Sequence, residues 1–430
     1  MLKNSKKAIS GGLWVMIGTT VASLFSYFFN IMVGRKLGPS AYADFTSLMS
    51  LLVILSVGSG TVLTITMAFT SRYYAEKNYH AIKDLFVYLL KFTGILVLIL
   101  TGIGIIFVPQ INQFLNISNS YATIITLFGI IFGIIIFINR GILQGMQQFK
   151  KIGWLNPLEM ISRLLLGLAL ISLGANLIGA LGAVVFSTLI IFVISLISIY
   201  RILHQKSRGI EKTKTIDFRK ALNQYFWPTL ISNTLLVIVI NSDVIIVKHY
   251  FNADIAGAYA ALSTIAKIIF YAASPIINVM FPMIAERTTK GEKHYRLLLF
   301  GFLATLFISL AINGIYAVFP GTIIEILFGS NYTAYFQLLP MVSIFIMLYT
   351  LANLLINYYM AIKNFKFLYV FAICFIFAGI AVYLNHSSLE TIIKIYIASM
   401  SLLLTGLMGY YIFLKWQQIA NYLGVKSHEN

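Results

Sequence analysis

The stretch AISGGLWVMIGTTVASLFSYFFNIMV, residues 8–33, is an apolar run without a charged side chain. A helix of about 20 such residues spans the hydrocarbon core of a bilayer. The run is too long for the apolar part of a signal peptide, and it lacks an Ala-x-Ala-like cleavage site. We therefore predict an uncleaved first transmembrane helix, and the apolar runs that follow decide the fold.

Further apolar runs fill nearly all of the remaining chain. The 430 residues are 59% hydrophobic and only 10% charged, and the mean hydropathy is +0.89. This composition indicates lipid as the solvent. We predict an all-α polytopic membrane protein with twelve transmembrane helices, at residues 9–34, 43–70, 85–108, 120–142, 155–173, 177–200, 223–247, 255–283, 297–318, 334–360, 367–384 and 390–414.

The formal charge of +18 is distributed unevenly between the predicted loops. With the N-terminus in the cytoplasm, twenty-three Lys and Arg side chains lie on the cytoplasmic side, and only Arg35, Lys36 and Lys248 lie outside. This bias predicts a multi-pass protein of the cytoplasmic membrane with both termini in the cytoplasm. The charge is a topology signal, and we predict no nucleic-acid partner.

The second half of the chain repeats features of the first at an offset of 214 residues. At this offset Ile17, Thr20, Val33 and His80 meet identical residues, among nine identities in all. Six spans per half is an even number, so the halves enter the membrane from the same side. We predict two pseudo-symmetric six-helix lobes around a central cavity, at residues 1–206 and 223–430, joined by a cytoplasmic linker at 207–222.

This architecture suits alternating access, with the binding site at the lobe interface. The longest predicted outer loops contain few ionisable groups and no constellation of catalytic residues, so we predict that the protein is not an enzyme. Cys374 is the single cysteine, which excludes an internal disulfide and a cysteine-based metal site. We predict no metal and no cofactor. A coupling ion, either proton or sodium, stays unidentified.

Charged residues inside predicted spans are candidates for function, because a charge at mid-bilayer costs about 2.5–3.5 kcal/mol. Lys267 lies deep in a span, with Ser263 one turn away on the same face. We predict that it lines the cavity and binds substrate, with an internal ion pair as the alternative. Asp243 carries a coupling ion or pairs with a neighbouring base.

Two further charges in predicted spans belong to Arg163, which has an acidic neighbour, and to Arg140, which lies near a membrane surface. Glu159 and Arg163 are four residues apart, which predicts an ion pair on one helical face. For Arg140, near the end of its span, we expect the side chain to reach the nearer membrane surface.

Basic residues also end corresponding spans in the two halves. Arg35 and Lys36 end the first span, and Lys248 ends the seventh. Their placement suggests an anionic ligand such as a phosphate or diphosphate, with anchoring at the interface as the alternative. Asn30, on a polar face of the first span, joins them as a candidate substrate-binding residue.

Four segments resemble a known family. GRKLGPSAYADF (34–45) and NSDVIIVKHYFNADIAGAYAAL (241–262) are similar to the segments that follow the first and seventh helices of polysaccharide-biosynthesis flippases. GILQGMQQFKKIGWLNPLEMISRLLLGLALISLGANLIGALGAVVFSTL (141–189) resembles the region of helices four to six in these proteins. FPGTIIEILFGSNYTAYFQLLP (319–340) resembles their segment before helix ten. These flippases, which include O-antigen-type exporters, belong to the multidrug/oligosaccharidyl-lipid/polysaccharide exporter superfamily.

The resemblance implies a two-lobe, twelve-helix flippase for a lipid-linked oligosaccharide, a precursor of a surface polysaccharide such as lipopolysaccharide. It also implies a polyprenyl-diphosphate carrier as partner, and other enzymes of a polysaccharide assembly pathway. Arg35 matches the arginine of the family's first loop, and Asp243 its frequent aspartate of helix seven. Ala43 and Asp44 depart from the family pattern, in which glycine follows the tyrosine, and this leaves the substrate identity open.

Three alternatives stay open. A cation-coupled multidrug exporter of the same superfamily needs buried carboxylates, whereas the first span contains no acid. A peptidoglycan-precursor flippase shares the mechanism but commonly has additional helices. A membrane glycan polymerase or glycosyltransferase would need an outer catalytic loop.

Overall fold

The computed structural model describes the backbone of residues 2–206 and 226–422, and the side chains of residues 14–203 and 227–416. Within these ranges the chain is helical and contains no β-strand. The predicted linker at 207–222 lies outside the described residues. Long apolar helices follow from the sequence because a backbone in lipid must satisfy its hydrogen bonds within each segment.

Within residues 2–206 the structure contains seven α-helices and one short π-helical turn at Ile171–Ala175. The α-helices are α1 (Leu2–Leu55), α2 (Gly58–Ala75), α3 (Tyr79–Ile106), α4 (Val108–Leu115), α5 (Ser120–Gly145), α6 (Phe149–Leu170) and α7 (Asn176–Lys206).

Two sharp bends interrupt this half. Gly38, with φ of 76°, kinks α1 and is followed by Pro39, which cannot donate a backbone hydrogen bond. Gly174, with φ of 87°, lies in the turn between α6 and α7. At both positions the positive φ favours glycine, so each residue ends one membrane crossing and allows the next to begin.

Within residues 226–422 the structure contains eight α-helices and a 3₁₀ segment at Ser330–Leu338. The α-helices are α8 (Phe226–Tyr250), α9 (Ala253–Ala266), α10 (Ile268–Thr289), α11 (Tyr295–Val318), α12 (Pro320–Phe328), α13 (Leu339–Ala361), α14 (Phe367–Leu384) and α15 (Leu389–Tyr422).

The chain is a multi-pass membrane protein. Ten segments of the described chain are long and apolar enough to cross a bilayer, and two of them, Trp14–Leu55 and Phe149–Leu203, contain the bends at Gly38 and Gly174. Each of these two segments is long enough for two crossings, so the number of spans agrees approximately with the twelve predicted helices.

The order of elements repeats between the halves. The third crossing of each half is followed by a short helix that is too short to span the membrane, α4 in the first half and α12 in the second. Gly38, where α1 bends, and Asn252, between α8 and α9, are 214 positions apart. The 214-residue offset of the predicted repeat therefore recurs in the positions where these helices end, and the pseudo-symmetry of the two lobes stays a prediction.

The chain divides into two compact units. The first lies within residues 1–230 and 244–257, and the second within 231–243 and 258–430. Two of the boundaries between them fall inside α8 and one falls inside α9. In the first unit α1 packs on α6, and α5 packs between α2 and α7. In the second unit α13 packs against α10, α11 and α15. The predicted lobe boundaries of 1–206 and 223–430 stay a prediction.

Candidate functional site

The first cluster of buried charges, in the first unit, centres on Glu159 of α6. Arg140 of α5 donates from Nη2 to Glu159 Oε2 at 2.5 Å, and Arg163 donates from Nη2 to Oε1 at 2.9 Å. Thr188 of α7 donates to Oε1 at 3.1 Å, and Arg163 Nε donates to the Ser187 hydroxyl at 3.2 Å. One carboxylate thus holds two guanidinium groups, and the cluster has a net charge of +1.

This geometry contains the predicted ion pair and corrects one expectation. Glu159 and Arg163 form the pair that their spacing predicts. Arg140 does not extend to the membrane surface as expected, because it pairs with Glu159, which is 4% exposed. A buried carboxylate attracts every cation within reach, since the pair avoids the cost of an uncompensated charge. Whether these residues act in coupling stays a prediction.

The second buried pair joins Lys248, in the last turn of α8, to Asp44. Lys248 Nζ lies 2.7 Å from Asp44 Oδ1, and the Lys248 side chain is only 2% exposed. Both residues belong to the first unit. The geometry favours a structural ion pair for Lys248, because its ammonium group is buried against a carboxylate. Substrate binding by Lys248 is untested and stays a prediction.

The turn beside Lys248 is fastened to α4, also within the first unit. Asn116 donates its side-chain amide to the backbone carbonyl of His249 at 3.1 Å. His249 Nδ1 lies 2.7 Å from the Phe114 carbonyl oxygen, and the two rings stack with centroids 4.1 Å apart. These contacts fix the end of α8 in place.

The third buried pair, in the second unit, is formed by Asp243 of α8 and Lys267. Asp243 is fully buried, and its Oδ2 accepts hydrogen bonds from Ser263 at 2.6 Å and Tyr259 at 3.1 Å. Lys267 Nζ lies 3.7 Å from the other oxygen, Oδ1. The structure thus brings together two residues for each of which an ion pair was one predicted alternative. Substrate binding by Lys267 and ion coupling by Asp243 stay predictions.

The neighbouring residue, Ser242, links this pair to α15. The Ser242 and Tyr396 hydroxyls are hydrogen-bonded at 2.9 Å. Tyr396 in turn packs against Phe345 of α13, with ring centroids 5.0 Å apart. The hydrogen bond from Ser242 to Tyr396 therefore connects α8 to α15 directly beside Asp243.

The remaining candidates lie at the end of the first crossing. Arg35 and Lys36 are exposed and directly precede the bend at Gly38. Asn30 is half-buried and donates its side-chain amide to the Ser26 carbonyl of its own helix at 2.9 Å. Exposure leaves the two cations accessible, and substrate binding by all three residues stays a prediction. Among the described residues, no group of three His, Cys, Asp or Glu side chains could hold a metal ion.

Sequence reasoning missed most of the partners in these clusters. It did not identify Asp44, Arg140, Thr188 or Tyr259 as neighbours of the buried charges. Each of them comes from a different helix or a distant segment, so no local spacing reveals it. Ser263 did have a signal, since it precedes Lys267 by one helical turn.

Comparison with known proteins agrees with this description. Residues 66–288, more than half of the chain, match the family model for polysaccharide biosynthesis protein. No curated protein matches the chain significantly in sequence.

Solved structures share the fold at low sequence identity. An inward-facing multidrug resistance MATE family transporter of the MOP superfamily superposes with a TM-score of 0.70 at 14% identity, covering 94% of this chain and 99% of that one. The lipid II flippase MurJ, in an inward closed conformation, gives 0.69 at 17% identity, covering 94% and 87%. A MOP superfamily transporter from Pyrococcus furiosus, described as having a binding pocket of reverse polarity, gives 0.59 at 16% identity, covering 96% of both chains.

Proposed function

Because this chain belongs to the polysaccharide biosynthesis protein family, we propose that it is a flippase for a lipid-linked oligosaccharide. It moves a polyprenyl-diphosphate-linked precursor of a cell-surface polysaccharide from the cytoplasmic to the outer leaflet by alternating access. It acts in the cytoplasmic membrane with both termini in the cytoplasm, beside the other enzymes of the assembly pathway. It transports this substrate and does not react with it.

The observation that carries the proposal is the sign of the charge in the spans. The buried clusters contain four cations and three carboxylates, namely Arg140, Arg163, Lys248 and Lys267 with Glu159, Asp44 and Asp243. Arg35 and Lys36 add two exposed cations at the end of a crossing. An excess of cations in a low-dielectric setting favours an anionic ligand, and a diphosphate headgroup is strongly anionic.

A cation-coupled multidrug exporter is the second candidate, since a MATE family transporter shares the fold. Such a protein needs a carboxylate that is free to bind a driving cation or a cationic drug. In this chain Glu159, Asp243 and Asp44 already lie beside Lys or Arg side chains. The occupied carboxylates favour the flippase.

The test is a flipping assay with purified protein in liposomes that contain a fluorescent polyprenyl-diphosphate oligosaccharide. Protein should make the inner-leaflet fluorophore accessible to a quencher added outside. We expect the double substitution Arg35→Ala and Lys36→Ala to slow flipping by about tenfold or more, since each charge-assisted hydrogen bond contributes about 1.5–3 kcal/mol.

Lys290→Ala is the matched control, because Lys290 is exposed and pairs with Glu286, which lies four residues earlier in the chain. It should flip the substrate at the wild-type rate. If wild-type protein flips no lipid-linked glycan but exports a cationic drug, the exporter becomes the correct function. In cells, loss of the protein should leave the lipid-linked glycan intact and facing the cytoplasm.

A further inference from the structure

Among the described residues, the contact between Asp243 and Lys267 is the longest of the four buried ion pairs. Its N–O distance is 3.7 Å, whereas Lys248 lies 2.7 Å from Asp44 and Arg163 lies 2.9 Å from Glu159. A distance of 3.7 Å exceeds that of a hydrogen bond between charged groups, which is about 2.7–2.9 Å. Lys267 is therefore attracted to Asp243 without being tightly bound to it.

The carboxylate is held by other groups. Ser263 and Tyr259 both donate to Asp243 Oδ2, at 2.6 and 3.1 Å. Oδ1, the oxygen nearest Lys267, is buried and accepts no hydrogen bond. Asp243 therefore keeps its position whether or not the ammonium group stays beside it.

The lysine is the more accessible partner. The side chain of Lys267 is 15% exposed, and that of Asp243 is 0% exposed. Lys267 also lies at the junction of α9 and α10, where Ala266 ends one helix and Ile268 begins the next. A flexible four-carbon side chain that is partly accessible can move its ammonium group to another anion, whereas the buried carboxylate cannot follow it.

We propose that Lys267 is an exchangeable counter-ion, which rests on Asp243 in the absence of ligand and moves to the phosphate oxygens of the anionic headgroup when it binds. This inference rests on the proposed function and deepens it, because it names the group that recognises the diphosphate and the group that competes for it. Ser263 and Tyr259 are positioning residues, since they keep Asp243 in place during the exchange.

Competition between Asp243 and the diphosphate for Lys267 would help a carrier to release its substrate. A cation with no internal partner would bind the diphosphate tightly and release it slowly, whereas transport requires release on the other side. Asp243 offers Lys267 a second partner, so the net affinity for the headgroup is the difference between two attractions. Return of Lys267 to Asp243 then assists release, as a shift between two states requires a difference in affinity.

The inference predicts opposite effects for the two partners. Lys267→Ala should weaken binding of the diphosphate by about tenfold or more. Asp243→Asn should strengthen it by about tenfold, because the competitor is removed while the side-chain oxygen still accepts from Ser263 and Tyr259. In a Lys267→Ala background, Asp243→Asn should have a much smaller effect, and this non-additivity separates exchange from general electrostatics.

The experiment measures binding of farnesyl diphosphate to the full chain in nanodiscs of zwitterionic lipid. Farnesol serves as the probe that lacks the diphosphate, and inorganic diphosphate shows whether the prenyl tail is needed. The matched control is Glu390→Gln, which neutralises a carboxylate paired with a lysine, Lys394, on an exposed helix face. That substitution should leave the affinity unchanged.

Thermal unfolding provides a second measurement that tolerates a less stable variant. Asp243→Asn leaves the Lys267 ammonium without its partner, so farnesyl diphosphate should raise the unfolding midpoint of this variant more than that of the wild type. An equal or smaller rise overturns the inference. So does an Asp243→Asn protein that stays unfolded when the diphosphate is present throughout purification.

The outcomes separate the inference from the function that it deepens. Suppose that wild-type protein binds farnesyl diphosphate but both single substitutions weaken binding. The ion pair is then structural and the proposed exchange of Lys267 is wrong, whereas the proposed flippase function is not contradicted. If folded wild-type protein binds farnesyl diphosphate no better than farnesol, the proposal of a diphosphate-linked substrate is wrong. The proposed exchange of Lys267 is then wrong as well, because it depends on that substrate.

Discussion

Lys248 Nζ lies 2.7 Å from Asp44 Oδ1, and this contact joins the last turn of α8 to the segment that follows the bend at Gly38. The lysine is almost completely buried, so the carboxylate is what makes its charge tolerable there. A buried ion pair adds little stability by itself, but loss of one partner leaves an uncompensated buried charge. Substitution of one partner and substitution of both partners should therefore have different effects on stability.

Asp44→Asn should lower the free energy of unfolding by about 3–5 kcal/mol, because it strips the buried ammonium of its counter-charge. The double substitution Asp44→Leu with Lys248→Met should recover most of that loss, since an apolar pair of similar volume has no charge to desolvate. Thermal unfolding in detergent measures both. A single variant as stable as the wild type would show that Lys248 has another anionic partner.

Glu159→Gln should lower the free energy of unfolding more than the removal of a surface carboxylate does. The substitution leaves Arg140 and Arg163 facing each other without a counter-charge, and we expect a loss of about 3–5 kcal/mol. Glu390→Gln breaks an exposed pair and should cost at most about 1 kcal/mol. The comparison uses unfolding midpoints in one detergent. Equal midpoints for the two variants would mean that water or lipid headgroups already compensate the arginines.

The crossings were predictable from sequence because length and apolarity are local properties. The predicted span at 367–384 coincides with α14, Phe367–Leu384, and the span at 120–142 ends three residues before α5 does. The short helices α4 and α12 were missed. They have eight and nine residues, too few to register as spans in an apolar chain.

The candidate site was predictable only where partners share a helix. Glu159 and Arg163 are one turn apart, so their pairing follows from helical geometry. Lys248 and Asp44 are far apart in sequence, and so are Arg140 and Glu159. Their pairing depends on which helices pack together, and periodicity does not contain that information. For Lys267 the sequence suggested an internal ion pair as one alternative, but its charge alone does not reveal that the partner is Asp243.

Gly153→Ala should separate α1 from α6 locally. A methyl group at this position would lie 2.6 Å from the Trp14 carbonyl oxygen, and one at Gly18 would meet the backbone of Gly153. Overpacking of this kind costs about 1–3 kcal/mol, measured as a lower unfolding midpoint. Gly94→Ala is the control, since nothing lies within 4 Å of the added methyl group in α3. An unchanged midpoint for Gly153→Ala would contradict the close helix contact.

The stability of the protein should fall in mild acid because of His294, which precedes α11. Burial lowers the pKa of His294 from its ordinary value of 6.5, and the charges of Lys415 and Arg287 lower it further. At pH values between the lowered and the ordinary pKa, His294 is therefore protonated in the unfolded chain and neutral in the folded protein. Its full contribution to stability is present at pH values above the ordinary pKa. This contribution is lost as the pH falls below 6.5 toward the lowered pKa. Unfolding midpoints at about pH 5.5 and about pH 7.5 should differ less in His294→Gln and in Lys415→Gln than in the wild type. If both variants keep the full difference, another group causes the acid sensitivity.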